Sequence, residues 1–350
     1  MHYITLGQSD LNVSRICLGS MTWGVQNSEQ EAHQQIEQAL SQGINFIDTA
    51  EMYPIPPSPE KYGETERIIG SWLAQNPQRR SELILASKIA GNGLAWIRSG
   101  ADISGAAIIQ SVDASLQRLQ TDYIDLYQLH WPNRASPHFS RHWPGMVRFS
   151  ALDSEQHSRQ MLDILQAIGS CIQAGKIRYF GLSDDTPWGI NEYLRLSETH
   201  NLPRLVSIQN EFSLLHTKDW PYLLENCVHE NIAYLPWSPL GGGVLSGKYL
   251  DGVRPQNSRW AATQRNGLFR DTESVNNAVK AYLEVARKYQ LSPVQMALAW
   301  CAGVDGVTST IIGATSPEQL QENIDAFNIS LADEVLNDIN SVLRQYPMPF

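Results

Sequence analysis

Three short apolar runs, each closed by an ionisable residue, recur at similar intervals in this chain: residues 43–48, 82–88 and 123–130, ending in Asp48, Lys88 and His130. The closing residues stand 40 and 42 positions apart, enough for one strand, one helix and their connections. The runs are short and rich in β-branched and aromatic residues, which fits strands better than helices. Parallel strands in a barrel present all their C-terminal ends at one rim. An acid, an ammonium and an imidazole remote in sequence would then converge there, together with Tyr53 just beyond the first run. Convergent titratable groups at a rim point to catalysis.

The segments between the runs carry helix boundaries. Ser28 and Glu31 have capping-box spacing, and Gly43 closes the pattern they open. Thr186-Pro187 and Ser292-Pro293 each place a hydroxyl at the N-cap and proline at the first helical position, and Gly175 follows a periodic segment over 161–174. Eight strands are expected, at 16–19, 46–48, 83–88, 124–130, 179–183, 206–209, 233–237 and 310–312. Eight strands with intervening helices predict an α/β (β/α)8 TIM barrel. Residues 3–6 and 11–13 flank the turn-rich Gly7-Gln8-Ser9-Asp10, so the first 13 or so residues are expected to form a β-hairpin suited to plugging the barrel floor. A helical segment over about 316–345 is expected at the other end. Three connections exceed what a βα loop needs, at 54–62, 131–157 and 246–270, and all would emerge at the catalytic rim. The first is rich in proline and the second carries Trp131, Phe139, Trp143 and Phe149.

A barrel of this kind accommodates all 350 residues as a single domain. With 42% apolar and 18% charged residues, the chain has the material for a large core. The formal charge of −10 opposes non-specific binding to nucleic acid or anionic membranes, so the expected partner is a small molecule. Cys17, Cys171, Cys227 and Cys301 form no C-x-x-C pair, and neither a disulfide framework nor a thiolate metal site is expected. Gln8, Ser9, Asp10 and Asn12 interrupt any apolar leader, and a cytoplasmic location is expected.

Tyr53 is the natural proton donor for a carbonyl being reduced, but the ordinary phenol pKa of about 10 makes it a poor base near neutrality. An ammonium at Lys88 favours the phenolate, a carboxylate at Asp48 fixes and compensates the ammonium, and His130 is placed to orient the carbonyl oxygen. Hydride transfer builds negative charge on that oxygen, so donors already aimed at it stabilise the transition state. Taken singly, each residue also has a structural reading: a cap, a loop aromatic, a strand-end charge, a core histidine. Together they form a complementary proton-transfer set at the ends of three successive strands.

On these residues the chain resembles the aldo-keto reductase superfamily, which carries an Asp, Tyr, Lys and His tetrad on a barrel and uses NADPH. The segments 43–53 and 123–130 resemble those bearing the family's Asp and Tyr and its His, and the likeness extends over residues 3–327. The proline insertion after Tyr53 is similar to the bacterial Tas-type branch, with a further likeness to potassium-channel beta subunits. The family's Tyr is commonly followed by Gly; here Tyr53 precedes Pro54, and Tyr62-Gly63 is the alternative. The spacing from Asp48 favours Tyr53.

No G-x-G-x-x-G occurs, so a Rossmann site is not expected and the barrel itself must hold a nicotinamide nucleotide. The resemblance implies that Trp237 stacks on the nicotinamide, with Ser238, Pro239, Leu240 and Gly241 following. The glycine-rich stretch ending at Lys248 suits pyrophosphate. It also resembles a Walker A motif, but Tyr249 stands where a hydroxyl should reach magnesium. Gly313 and Thr315 precede a helix with proline in its first turn, where free amides attract phosphate. The resemblance assigns Gly313, Thr315, Gln319, Glu322 and Asn323 to the adenosine end. Lys248 and Arg259 are the cations for the phosphates, including a 2′-phosphate, which favours NADPH over NADH. Ser183, Asp184 and Gln209 resemble the ligands of the carboxamide, with Asp184 standing where Asn is usual; a carboxylate accepts hydrogen bonds but donates none. Thr22 and Trp23 resemble ribose and pocket contacts. His138 and His142 have helical metal-ligand spacing but no third ligand, and are read as solvated loop residues. The expected activity is NADPH-dependent reduction of aldehydes or ketones; the alternative is an NADPH-holding redox sensor acting on a protein partner.

Overall fold

The computed structural model describes residues 1–139, 141–256, 258–262 and 270–350. Strands β1 (Tyr3–Thr5) and β2 (Asn12–Ser14) form an antiparallel pair. Eight parallel strands follow: β3 (Ile16–Gly19), β4 (Phe46–Asp48), β5 (Ile84–Ile89), β6 (Ile124–Leu129), β7 (Ile177–Ser183), β8 (Ser207–Glu211), β9 (Ala233–Trp237) and β10 (Thr310–Ile312). Each pairs with the next in space, and β10 returns to β3. A bridge between Tyr234 and Val307, with the Thr308 N–H donating to the Tyr234 carbonyl at 2.9 Å, joins β9 to the segment entering β10. The sheet therefore closes into the (β/α)8 barrel.

Four of the eight strands have the expected bounds. The rest begin or end one or two residues away, as hydrogen-bonded pairing extends past the apolar stretch that marks a strand in sequence. His130 lies one residue beyond β6, its N–H donating to the Ile89 carbonyl at 3.0 Å.

Alternation along each strand sorts the side chains into two cores. Cys17, Phe46, Ala86, Leu126, Val206, Ala233, Leu235 and Ile311 form an inner cluster, and Leu6, Leu11 and Val13 of the hairpin join it. The hairpin thus closes the barrel floor. A Cβ at Gly7, whose φ is +54°, would come within 2.3 Å of the Val206 carbonyl, so this close approach requires glycine. The outward set, including Ile47, Leu85, Ile89, Tyr127, Leu129, Phe180, Leu182, Ile208 and Tyr234, packs against the helices. Burying each such side chain contributes roughly 1.5–3 kcal/mol.

The helices are α1 (Glu29–Ser41), α2 (Glu64–Gln75), α3 (Gly105–Leu119), α4 (Ser154–Gln173), α5 (Pro187–His200), α6 (Tyr222–Glu230), α7 (Arg259–Ala262), α8 (Glu273–Lys288), α9 (Pro293–Gly303), α10 (Pro317–Asp325) and α11 (Asp333–Gln345). The capping box at Ser28 and Glu31 is formed, and Ser292 caps α9. Thr186 is the N-cap residue of α5 with Pro187 at the first helical position, but its hydroxyl makes no capping bond and instead accepts from Arg134 at 3.2 Å, while Asp185 accepts the Thr186 N–H at 2.6 Å. Helix α4 starts inside the expected 131–157 loop, where Asp153 accepts the Gln156 N–H at 2.9 Å. The long connection over 246–270 contains the short helix α7; its residues 257 and 263–269 lie outside the described residues, as does Ser140 in the second loop. No described helix is long and apolar enough to cross a membrane.

Candidate active site

Period-2 alternation turns Asp48, Lys88, Gln128 and Gln209 into the barrel at its C-terminal end, one layer above the apolar floor. Lys88 is fully buried and its Nζ donates to Asp48 Oδ2 at 2.5 Å and to the Thr49 carbonyl at 2.8 Å. Its Nζ also lies 4.9 Å from the Tyr53 ring centroid, so the ammonium acts electrostatically on the phenol. The other carboxylate oxygen of Asp48 accepts from Gln209 at 2.8 Å and from Gln128 at 3.1 Å. Asp48 is thus saturated by fixed donors, and the salt bridge is held rigidly from both sides. His130 meets Tyr53 edge-to-face, ring centroids 5.5 Å apart. The four residues singled out in the sequence are brought together.

Burial pushes the Tyr53 hydroxyl above its ordinary value, outweighing the lowering by Lys88. Burial alone would depress Lys88, but Asp48 and then Tyr53 raise it. Burial, with Lys88 adding to it, holds His130 well below the usual imidazole range. Near neutrality the site therefore contains a phenol, an ammonium and a neutral imidazole. That is a proton donor polarised by a cation, beside a neutral ring able to donate a hydrogen bond.

Tyr62 stands elsewhere. Its hydroxyl donates to Glu51 at 3.1 Å, and Arg98 joins the same carboxylate at 2.8 Å. Its ring lies 5.2 Å from the Arg118 guanidinium, and burial together with Glu51 pushes the phenol up to about 12.

The walls around the tetrad are aromatic. Trp131 lies 5.1 Å from His130, Phe139 stands edge-on to Trp131 at 6.3 Å, and Phe139 stacks over Trp237 at 6.3 Å. Arg259, in α7, reaches Met21 with Nη1 3.8 Å from the sulfur, close enough for its charge to act on Tyr53. Burial lowers the guanidinium below its ordinary value.

Ser183 closes β7 and Asp184 follows it, both buried, and Ser183 pairs in register with Gln209. Asp184 adopts φ +50°, a left-handed conformation that Asp tolerates, and accepts from Trp237 Nε1 at 3.3 Å. Ser238 is also left-handed at φ +52°, and its carbonyl accepts the Gly241 N–H at 2.8 Å, so Ser238, Pro239, Leu240 and Gly241 form one tight turn after β9. Gly241, Gly242 and Gly243 all take positive φ in the turn leading to the exposed Lys248. Tyr249, where a Walker motif would place a hydroxyl on magnesium, is buried and stacks on Trp260 at 4.4 Å.

Around the start of α10, Gln319 Oε1 accepts from both the N–H and the hydroxyl of Thr315 at 3.0 Å. Thr22 donates to Asn27, which donates onward to the Thr315 carbonyl, tying the loop after β3 to this cluster. Asn323 donates to the Gly313 carbonyl at 3.1 Å, while Glu322 accepts from Ser292, the cap of α9. Trp23 is displaced from its expected role. It is fully buried among the core residues outside the barrel and donates to Gln35 at 3.0 Å, because the turn after β3 directs it under α1.

Two features escaped the sequence reading. Gln128 holds Asp48; its position two residues before His130, on the inward face of β6, is the signal that would have found it. His138 is buried, not solvated, with Nε2 3.1 Å from the Asp185 carbonyl and Nδ1 3.1 Å from Lys218 Nζ. Loop composition concealed a residue that the rim encloses. No group of three or more potential metal ligands occurs among the described residues.

Comparison with known proteins agrees with this architecture. Residues 15–344 match the model of the aldo/keto reductase family. The chain is similar to Protein tas of Escherichia coli (strain K12), 42% identical over 352 aligned positions covering 100% of this chain and 99% of that protein. The Protein tas of Shigella flexneri matches to the same extent. An uncharacterized oxidoreductase, YrpG of Bacillus subtilis (strain 168), is 31% identical over 98% of this chain and 96% of its own length. A complete parallel barrel, four complementary proton-transfer groups at its rim and a family match across the barrel lead to one conclusion: the chain belongs to the aldo/keto reductase family.

Proposed function

We propose that this protein reduces aldehydes or ketones to alcohols with NADPH, with Tyr53 giving the proton to the carbonyl oxygen as hydride arrives at carbon. The observation that carries the reading is the fully buried Asp48–Lys88 pair with its ammonium 4.9 Å from the Tyr53 ring centroid. Bound NADPH supplies the hydride. Lys88 stabilises the phenolate left after proton transfer, Asp48 keeps Lys88 charged and in place, and neutral His130 donates a hydrogen bond to the carbonyl oxygen. Trp131, Phe139 and Trp237 form flat apolar walls that suit an aromatic or conjugated carbonyl and exclude water. The test is loss of NADPH absorbance with a panel of aromatic and aliphatic aldehydes. Bound NADPH without turnover of any of them would replace this reading with cofactor sensing.

The residues fit NADPH at both ends. Trp237 offers its indole face beside the tetrad, the tight turn of Gly241, Gly242 and Gly243 packs against the Lys248 side chain, and Gly313, Thr315 and Gln319 stand at the start of α10. Lys248→Ala is expected to raise the NADPH dissociation constant about tenfold, in keeping with one charge-assisted phosphate contact. Fluorescence titration checks this, and an unchanged constant refutes the assignment.

The protonation pattern predicts a pH profile. Tyr53 is shifted upward, so its proton is retained through pH 9; His130 is shifted downward, so it stays neutral above pH 6. At saturating NADPH, kcat for reduction should therefore be flat between pH 6 and about 9. A titration with a midpoint between 6 and 8 would assign the proton to another group.

A further inference from the structure

Asp184 directly follows β7, its carboxyl sealed from water at 2% exposure. His138, from the loop after β6, brings Nδ1 to 3.4 Å from Asp184 Oδ1. The proton inventory of that imidazole is determined by its other contacts. Nε2 lies 3.1 Å from the Asp185 carbonyl, which only accepts, so Nε2 carries the hydrogen. Nδ1 lies 3.1 Å from Lys218 Nζ, an ammonium that only donates, so Nδ1 presents a lone pair. An ionised Asp184 would therefore set a carboxylate oxygen against a lone pair, with Trp237 Nε1 as its hydrogen-bond donor at 3.3 Å. A proton on Asp184 Oδ2 neutralises the carboxyl and so relieves that repulsion, leaving its O–H free to donate elsewhere.

We propose that Asp184 holds the nicotinamide carboxamide as a neutral carboxylic acid, so that NADPH binding requires a proton retained by the buried Asp184–His138–Lys218 cluster. The inference rests on the proposed nicotinamide position beside Trp237. A neutral carboxyl offers one donor and one acceptor, as a primary amide does, and so matches both ends of the carboxamide; a carboxylate offers acceptors alone. The acid stands beside Trp237 and in register with the end of β8 through Ser183 and Gln209.

The charged groups around Asp184 come from four directions. His138 belongs to the loop after β6, Lys218 and Asp219 to the segment after β8, and Lys88 to β5, while Asp185 next door is paired with Arg134. Burial dominates, pushing Asp184 up to about 8, with Lys218, the Trp237 hydrogen bond and Lys88 opposing it and Asp219 reinforcing it. His138 is held well below its usual range by burial and by Lys218, and Lys88 is raised. Neither competes for the proton between pH 7 and 9.5.

The sign follows. The binding-competent form is protonated, so affinity is highest below the Asp184 midpoint and is lost as pH rises through it, tenfold per pH unit beyond. The experiment is a fluorescence titration of NADPH binding between pH 7 and 9.5, on wild type and Asp184→Asn. It is repeated with the reduced 3-acetylpyridine analogue, which keeps the carbonyl acceptor and lacks the amide donor, and with 2′,5′-ADP, which lacks the nicotinamide. Wild type is expected to lose roughly tenfold in affinity between pH 7.5 and 9 for NADPH and for the analogue. Asp184→Asn should bind NADPH with the same affinity across the range, and 2′,5′-ADP should show no such loss. Affinity that is flat or increases with pH in wild type overturns the inference, as does a parallel loss with 2′,5′-ADP, which would place the titration at the phosphates. If NADPH fails to bind wild type even at pH 7, it is the underlying nicotinamide reading that fails. The wild-type and analogue measurements stand without the variant should Asp184→Asn not fold.

Discussion

Replacing Tyr53 with Phe is expected to lower aldehyde turnover by about a hundredfold or more while leaving the NADPH dissociation constant within about twofold of wild type. The substitution removes one oxygen and keeps the ring. The edge-on packing with His130 and the 4.9 Å approach of Lys88 to the ring both survive in phenylalanine. What disappears is the only group in the tetrad that is both acidic enough and protonated at neutral pH. His130 cannot take over, because burial and Lys88 keep it neutral, and Lys88 is committed to Asp48 and the Thr49 carbonyl. Steady-state kinetics beside a fluorescence titration checks the prediction. Unaltered turnover would remove Tyr53 from the mechanism. Tyr62→Phe serves as the control and should change turnover little, since that hydroxyl is engaged by Glu51.

Lys88→Met is expected to affect both activity and stability. Turnover should fall at least as far as in Tyr53→Phe, since the phenolate formed on proton transfer loses its stabilising cation. The unfolding free energy should fall by about 3–5 kcal/mol, the usual cost of stranding one partner of a buried ion pair. Here the stranded group is Asp48, 3% exposed, whose remaining donors are the neutral amides of Gln128 and Gln209. Pairing the change with Asp48→Asn removes the uncompensated charge. The double variant should therefore regain most of the stability but none of the turnover. Denaturant titration with single-turnover kinetics separates the two effects. A Lys88→Met protein as stable as wild type would show that Asp48 does not depend on this partner, whereas recovered activity in the double variant would remove the pair from the chemistry.

The barrel was legible in the sequence because its strands are buried on both faces. Each strand then appears as a compact apolar run, and a polar residue at the end of such a run stands out. Asp48, Lys88 and His130 were conspicuous for that reason. Gln128 was not, since a neutral amide inside an apolar run carries no such signal until Asp48 Oδ1 is found 3.1 Å away. Helix starts at Ser28 and Ser292 were also legible, because a cap is a contact between residues three apart. Thr186 stands at the N-cap of α5 as the sequence indicates, but its hydroxyl makes no capping bond because it accepts from Arg134, more than fifty residues earlier in the chain.

The rim divides along the same line. Spacing from Asp48 favoured Tyr53 over Tyr62 in the sequence, and the fold sets the Tyr53 ring 4.9 Å from the Lys88 ammonium while the Tyr62 hydroxyl goes to Glu51. Trp23 carried the residue type expected of a pocket wall, yet the turn after β3 directs it beneath α1. His138 sat in a polar loop and is nonetheless enclosed among Asp184, Asp185 and Lys218. The sequence by itself determined the barrel, the plugged floor and the chemical types at the rim, because period, capping and composition are local properties. Only the tertiary structure decided which aromatic meets the ammonium, which histidine is dry and which carboxylates lie buried beside a cation, because desolvation and charge pairing depend on distances between residues far apart in the chain.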